Sequence, residues 1–200
     1  MTATYLNLHA QGKRLMHKAH DKHVHGHTHA KKVQQNCAEI LAELQVSEPD
    51  KYSIKDIDLM VETAAWWHDS YKRLQKTGSL YALFHEGEEA SKIFLANKDA
   101  KDLPEAERDM IAQAIKVHNS PYLFTFAWRK MPPVTRILLE SDGVETVKRD
   151  RILHSINRSR TLFLKVFHIF LYCGFCTFFF LMPLTKTARR IYWDNLLGKN

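Results

Sequence analysis

Apolar residues in this chain recur at steps of three and four, and no window alternates cleanly at two. That period belongs to the amphipathic helix, whose one apolar stripe must be buried against neighbours. A first helix is expected over about residues 4–19. A second follows His29, with Val33, Cys37, Ile40, Leu41 and Leu44 on its stripe. Ser53, with Asp56 three residues later, reads as a capping box opening a third helix. Its stripe is Ile57, Met60, Val61, Ala64 and Ala65, ending at Trp66-Trp67-His68-Asp69. A fourth is expected near residues 86–97 with Ala90, Ile93 and Phe94 inward, after a loop carrying Gly78. Asp102 and Pro104 start a fifth, with Ile111, Ala114, Ile115 and His118 inward, and Pro121 stops it. Pro132-Pro133 begin a sixth that runs through Ile137, Leu138 and Asp142. The fold class is therefore all-α, one domain over residues 1–200, a bundle of about six to eight helices. Seven Gly and six Pro among 200 residues are too few for an all-β chain of many tight turns.

Three cysteines (Cys37, Cys173 and Cys176) do not make a disulfide scaffold. The Cys173-x-x-Cys176 pair lacks the second pair that a structural zinc site needs. No apolar leader follows Met1, so a reducing, cytoplasmic compartment is the expectation. The formal net charge of +7 suits an anionic partner. The basic residues are scattered and no specific nucleic-acid motif appears, so a small phosphorylated substrate accounts for the sign as well as nucleic acid does.

Val166 to Thr185 holds no Asp, Glu, Lys or Arg. Its 20 residues are long enough to span a bilayer. The expectation is a helix buried on all sides, with His168 partnered inside the protein and Pro183 marking its end. The cover would come from the helices that carry His29 and Asp142, or from a second subunit in a homodimer. A short amphipathic helix from Lys186 should dock through Ala188, Ile191, Tyr192 and Leu196. A membrane anchor through about 166–185 is the alternative.

The polar residues at the stripe ends point to chemistry. His29 lies four before Val33, His68 four after Ala64, His118 three after Ile115, and Asp142 four after Leu138. Each extends an inward face. Buried ionisable groups are costly unless they pair or hold a metal, and a bundle that gathers them does so around a cation.

In this order His29, His68-Asp69 and Asp142 resemble the H…HD…D signature of the HD-domain metal-dependent phosphohydrolases. The resemblance covers about residues 20–160, with the C-terminal helices at 161–200 outside it. His25, His29 and Val33 resemble an H-x-x-x-H-x-x-x-V entry, His85-Glu86 with Ala90 an H-E helix start, and Val117-His118 a later helix-borne histidine. Leu139-Glu140-Ser141-Asp142-Gly143 resembles a closing D-A-D motif, from which Glu140 and Ser141 depart. Thr185 to Arg190 resembles a T-x-x-A-R segment of soluble members.

The resemblance implies metal ligation by His29, His68, Asp69 and Asp142, a set that suits Mn, Fe, Ni, Co or Zn. His85 and His118 are either ligands of a second metal or partners of substrate phosphate, to which His25 and Lys72 also belong. Asp69, Lys72 and Glu86 form the catalytic set, although Lys72 also reads as a solvated loop lysine and Glu86 as a first-turn helix acid. His20, His23 and His27 read as the loop into the second helix. The aromatic loop at 119–131 (Tyr122, Phe124, Phe126, Trp128) is expected to line the pocket. The implied activity is cleavage of a phosphate ester or anhydride of a nucleotide-like anion by metal-activated water. A di-iron oxygenase, or an idle scaffold that binds a nucleotide or a partner, are the alternatives.

Overall fold

The computed structural model describes residues 3–17, 26–73, 80–119, 130–159 and 161–199. Among these residues it is all-helical, with no strand. The helices are α1 (Ala3–His17), α2 (His27–Ser47), α3 (Pro49–Tyr52), α4 (Ile57–Trp67), α5 (Leu80–Ala96) and α6 (Lys98–Lys101). They continue as α7 (Glu105–Val117), α8 (Pro133–Thr146), α9 (Arg149–Arg158), α10 (Leu162–Leu181) and α11 (Lys186–Leu197). A 3-10 turn at Ser70–Arg73 follows α4.

Eleven helices exceed the expected six to eight for two reasons. First, α3 and α6 are single turns. Pro49 starts α3 in its first turn and Ser53 ends it, its N–H donating to Pro49 O. The Ser53–Asp56 capping box does not form. Instead Asp56, at a φ of 57°, is the N-cap of α4 and makes no side-chain cap bond. A left-handed turn is tolerable there because a short Asp side chain visits that region more readily than most. Likewise Asp102 closes α6 rather than opening α7. Second, α9 carries too few apolar residues to be legible as a stripe, and Arg151 is the residue it buries.

The inward stripes of α2, α4, α7 and α8 are buried: Val33 to Leu44, Ile57 to Ala65, Ile111 to Ile115, and Ile137 with Leu138. These four helices pack on one another, and α5 packs on α7 while α1 packs on α4. Trp67 ties the last contact, its Nε1 donating to Leu8 O at 3.0 Å. The result is a ring of four helices whose polar ends point to one place.

The C-terminal helices close this ring. Glu140 on α8 accepts from Thr185 N (3.0 Å) and Thr185 Oγ1 (2.8 Å). Glu43 on α2 accepts from the amides of Lys186 and Thr187, and Thr185 Oγ1 from Ala188 N. The orphan amides at the start of α11 are thus satisfied by side chains. Ala188, Ile191 and Tyr192 are buried, as expected, with Leu196 partly buried on the same core.

The preceding helix corrects the expectation of full burial. In α10 only Phe179 is buried, while Phe163 and Phe170 are 76% and 74% exposed. Its first three turns pair with α9 and its C-cap, through Ser159–His168 (2.7 Å) and Ser155–Tyr172 (3.0 Å). A ten-residue helix can cover only one side of a twenty-residue partner. The last turns do reach the core, where Phe179 lies on Gly143 so closely that a Cβ there would fall 1.9 Å from its ring. The chain then leaves the helix just before Pro183, and Arg189 donates to the carbonyls of Phe179, Phe180 and Met182. By length and composition α10 is long and apolar enough to cross a membrane, with a mean hydropathy of 1.8. Cys173 and Cys176, both on it, are free thiols.

Candidate metal centre

Three helices deliver the first four residues of the cluster. His29 sits in the first turn of α2, His68 caps the C-terminus of α4, Asp69 follows it, and Asp142 lies on the inner face of α8. His29 Nε2 is 3.1 Å from Asp142 Oδ1 and 3.6 Å from Asp69 Oδ2. His68 Nε2 is 3.7 Å and 3.6 Å from the same two oxygens, and 3.3 Å from His29 Nε2. Thus the four residues singled out as ligands are brought together, each of the two imidazoles within 3.7 Å of both carboxylates. His118, which caps α7, joins them with Nε2 3.9 Å from Asp69 Oδ1 and its ring edge-on to His68.

Hydrogen bonds at the outer nitrogens decide which way each ring presents its lone pair. His68 Nδ1 donates to Ala65 O at 2.8 Å, and His118 Nδ1 donates to Ile115 O at 2.7 Å. Both rings therefore turn an unprotonated Nε2 inward, the arrangement that backbone carbonyls at the other nitrogen impose on metal-binding histidines. His29 is set the other way. Its Nδ1 lies 2.9 Å from Arg151 Nη1, and a guanidinium can only donate. The neutral ring then carries its proton on Nε2, facing Asp142.

Burial pushes His29 down to about 3, with the Arg151 charge adding to the effect. Burial lowers His118 as well, reinforced by His68. For Asp142 burial acts upward, but the His29 hydrogen bond and the surrounding imidazoles hold its carboxyl well below the usual carboxylate range. Neutral imidazoles and an ionised carboxylate are the protonation states a metal requires. Two overlapping groups can hold an ion: His29, His68 and Asp142, and His68, Asp69 and His118. With its Nδ1 committed to Ala65, His68 has one nitrogen to offer and serves one ion. Imidazoles and carboxylates in this number suit a divalent transition metal. The nearby Cys37 thiol is pushed up to about 12 by burial, so it remains a thiol and not a thiolate ligand.

Lys72 and Glu86 are built onto this cluster rather than onto the surface. The 3-10 turn after Asp69 carries Lys72, whose Nζ lies 2.6 Å from Glu86 Oε2. Burial opposes the Lys72 charge, but the Glu86 and Asp69 carboxylates outweigh it and raise the ammonium's pKa. Glu86 is buried, and burial together with the Asp69 charge raises its carboxyl well above the usual range against the pull of Lys72. Because α5 begins at Leu80, Glu86 is not the first-turn acid of the alternative reading. Gly87 permits its position. A Cβ at that residue would lie 2.4 Å from Lys116 O and 2.9 Å from Ile115 O, so only glycine lets α5 sit so close to the end of α7.

His85 departs from the expected set. Its side chain is 43% exposed and its Nδ1 is 3.9 Å from Glu88 Oε2, away from the two groups above. His25, His20, His23, Gly78 and most of the aromatic loop, residues 120–129, lie outside the described residues. His27 is the first residue of α2 and stacks on His17 with ring centroids 3.9 Å apart. Glu140 points from α8 to Thr185 and Arg136 Nε, which explains why it does not serve as a ligand despite its place in the motif. Sequence reasoning missed Arg151, which stands among other charged residues on a helix with too few apolar residues to show a stripe. No protein-family model, curated protein or solved structure matches this chain.

Proposed function

We propose that this chain is a metal-dependent phosphohydrolase of the HD-domain kind, acting on a small anionic, nucleotide-like phosphate ester or anhydride. The observation that carries the reading is the convergence inside the bundle of His29 and His68, whose Nε2 atoms each lie 3.1–3.7 Å from carboxylate oxygens of both Asp69 and Asp142. These four would hold the metal. When bound, it lowers the pKa of a water and polarises the phosphoryl group. Lys72, fixed as a cation by Glu86 and Asp69, meets charge developing on the phosphate. Glu86, whose carboxyl burial and the Asp69 charge raise above the usual range, lies 2.6 Å from Lys72 Nζ and holds that lysine in place. His118, its Nε2 turned towards Asp69, would join His68 and Asp69 around the ion. The six-residue set of a dinuclear oxygenase would need His85, which faces Glu88 instead.

Metal analysis of the purified protein, followed by a phosphate-release screen over nucleotides and phosphomonoesters with Mn, Ni, Co and Mg, tests the proposal. About one transition metal per chain and release that depends on it are expected. Protein that binds no divalent metal, or that turns over equally with the metal chelated, would overturn it.

A further inference from the structure

A cleft of about 480 Å³ opens on the side of His29 away from Asp142. Its size falls in the range of small-ligand sites. The starts of α2 and α9 meet there, and neither helix has a side-chain cap hydrogen bond at its N-terminus. First-turn amides have no carbonyl partner within their own helix and favour an anion. Four cations line the walls: Lys31, Lys32, Lys148 and Arg151. Two acids, Glu145 and Asp150, oppose them, leaving an excess of positive charge. Glu145 is engaged by Lys148 at 4.0 Å and by Asn195 Nδ2 at 3.5 Å.

Arg151 connects this cleft to the metal centre. It is 9% exposed, and its guanidinium donates to the one imidazole of the cluster whose Nε2 still carries a proton. For His29 to ligate, that proton must leave Nε2 while Nδ1 takes one up from solvent, with no net change. A protonated Nδ1 and a guanidinium cannot face each other at 2.9 Å, since both donate.

We propose that the cleft behind His29 is a binding site for a phosphate-type oxyanion, and that its occupant draws Arg151 off His29 Nδ1 and thereby strengthens metal binding. The oxyanion takes the guanidinium in a two-pronged hydrogen bond, and an oxygen acceptor replaces it at Nδ1. By linkage the metal strengthens oxyanion binding by the same factor. The proposal rests on the metal reading above but not on hydrolysis, because the anion lies on the opposite side of the ring from the ligating nitrogen.

Calorimetric titration of the full chain with Mn2+, with sulfate or with chloride at matched ionic strength, reads the coupling directly. Sulfate is expected to tighten Mn2+ binding. A hydrogen bond from a charged donor corresponds to roughly 10- to 100-fold in an equilibrium constant, which bounds the effect. Arg151→Gln should tighten Mn2+ binding by a similar factor in chloride and abolish the response to sulfate. Lys148→Gln, which removes a charge without touching His29, should weaken the sulfate response and leave Mn2+ affinity in chloride within about 2-fold, as expected of a partly exposed charge. A wild-type affinity indifferent to sulfate would overturn the proposal with no substitution involved. So would Arg151→Gln protein, folded by circular dichroism, whose Mn2+ affinity in chloride is unchanged or weaker. Equal Mn2+ binding in every case sinks this inference alone, whereas no Mn2+ binding at all sinks the metal reading as well.

Discussion

Substitution of Gly143 is expected to change sign with the residue facing it. An alanine Cβ there would lie 1.9 Å and 2.2 Å from two ring carbons of Phe179. Neither partner yields easily, because Gly143 is held in the last turn of α8 and Phe179 is 5% exposed beneath the turn that Arg189 clamps. Overpacking of this kind costs about 1–3 kcal/mol, and two sub-contact distances put it at the upper end. Against that, alanine in a helix interior is favoured over glycine by about 1 kcal/mol. The net for Gly143→Ala is a loss of about 2 kcal/mol. Phe179→Ala removes a buried ring and costs about 3 kcal/mol, the low end for such truncations because α10 is otherwise exposed. In the Phe179→Ala background the clash is gone, so Gly143→Ala should stabilise by about 1 kcal/mol. The coupling between the two is therefore about 3 kcal/mol, a value reached only by residues in direct contact. Urea unfolding of the four proteins, followed by the fluorescence of buried Trp66 and Trp67, measures every term. Gly143→Ala that stabilises the otherwise unaltered chain would refute the docking of α10 on α8.

Asp69→Ala should lose most bound metal and nearly all activity, and His68→Ala should behave alike; full metal content in either variant, read by elemental analysis, would remove the cluster from consideration. Lys72→Ala should retain its metal and lose turnover by about 100- to 1000-fold, and unchanged steady-state kinetics would return this residue to a structural pairing with Glu86. Stability of the metal-free protein should fall on acidification through His29, whose ordinary value of 6.5 drops to about 3 in the fold. Through that window the unfolded chain takes up a proton that the folded chain refuses, so the contribution is lost as pH falls, by about 2 kcal/mol from pH 7 to pH 5. Glu86, Glu140 and Glu145, raised from 4.5, act in the opposite sense above that value. Comparison with His29→Gln isolates the histidine, and the variant's loss over the same interval should be smaller by about 2 kcal/mol.

The steps of three and four along the chain determined that it is helical and which residue of each helix turns inward. Because His29, His68, His118 and Asp142 continue those stripes, their burial at one end of the bundle followed from spacing alone. Periodicity reports a face, however, and never names the neighbour that covers it. Hydropathy could therefore mark α10 as apolar without deciding how much of it would be buried. Only the docking of Phe179 on Gly143, and the anchoring of Thr185 by Glu140, fix which turns of it reach the core. The same limit hid Lys72 and Glu86, two polar residues fourteen positions apart whose pairing depends on Gly87 letting α5 close on α7. Arg151 is the sharpest case. It sits between a charged pair, Arg149-Asp150, and an apolar pair, Ile152-Leu153, and it comes to His29 from 122 residues away. Long-range polar contacts of this kind are chosen by tertiary packing, because a buried hydrogen bond needs both partners in place at once and a local pattern describes only one of them.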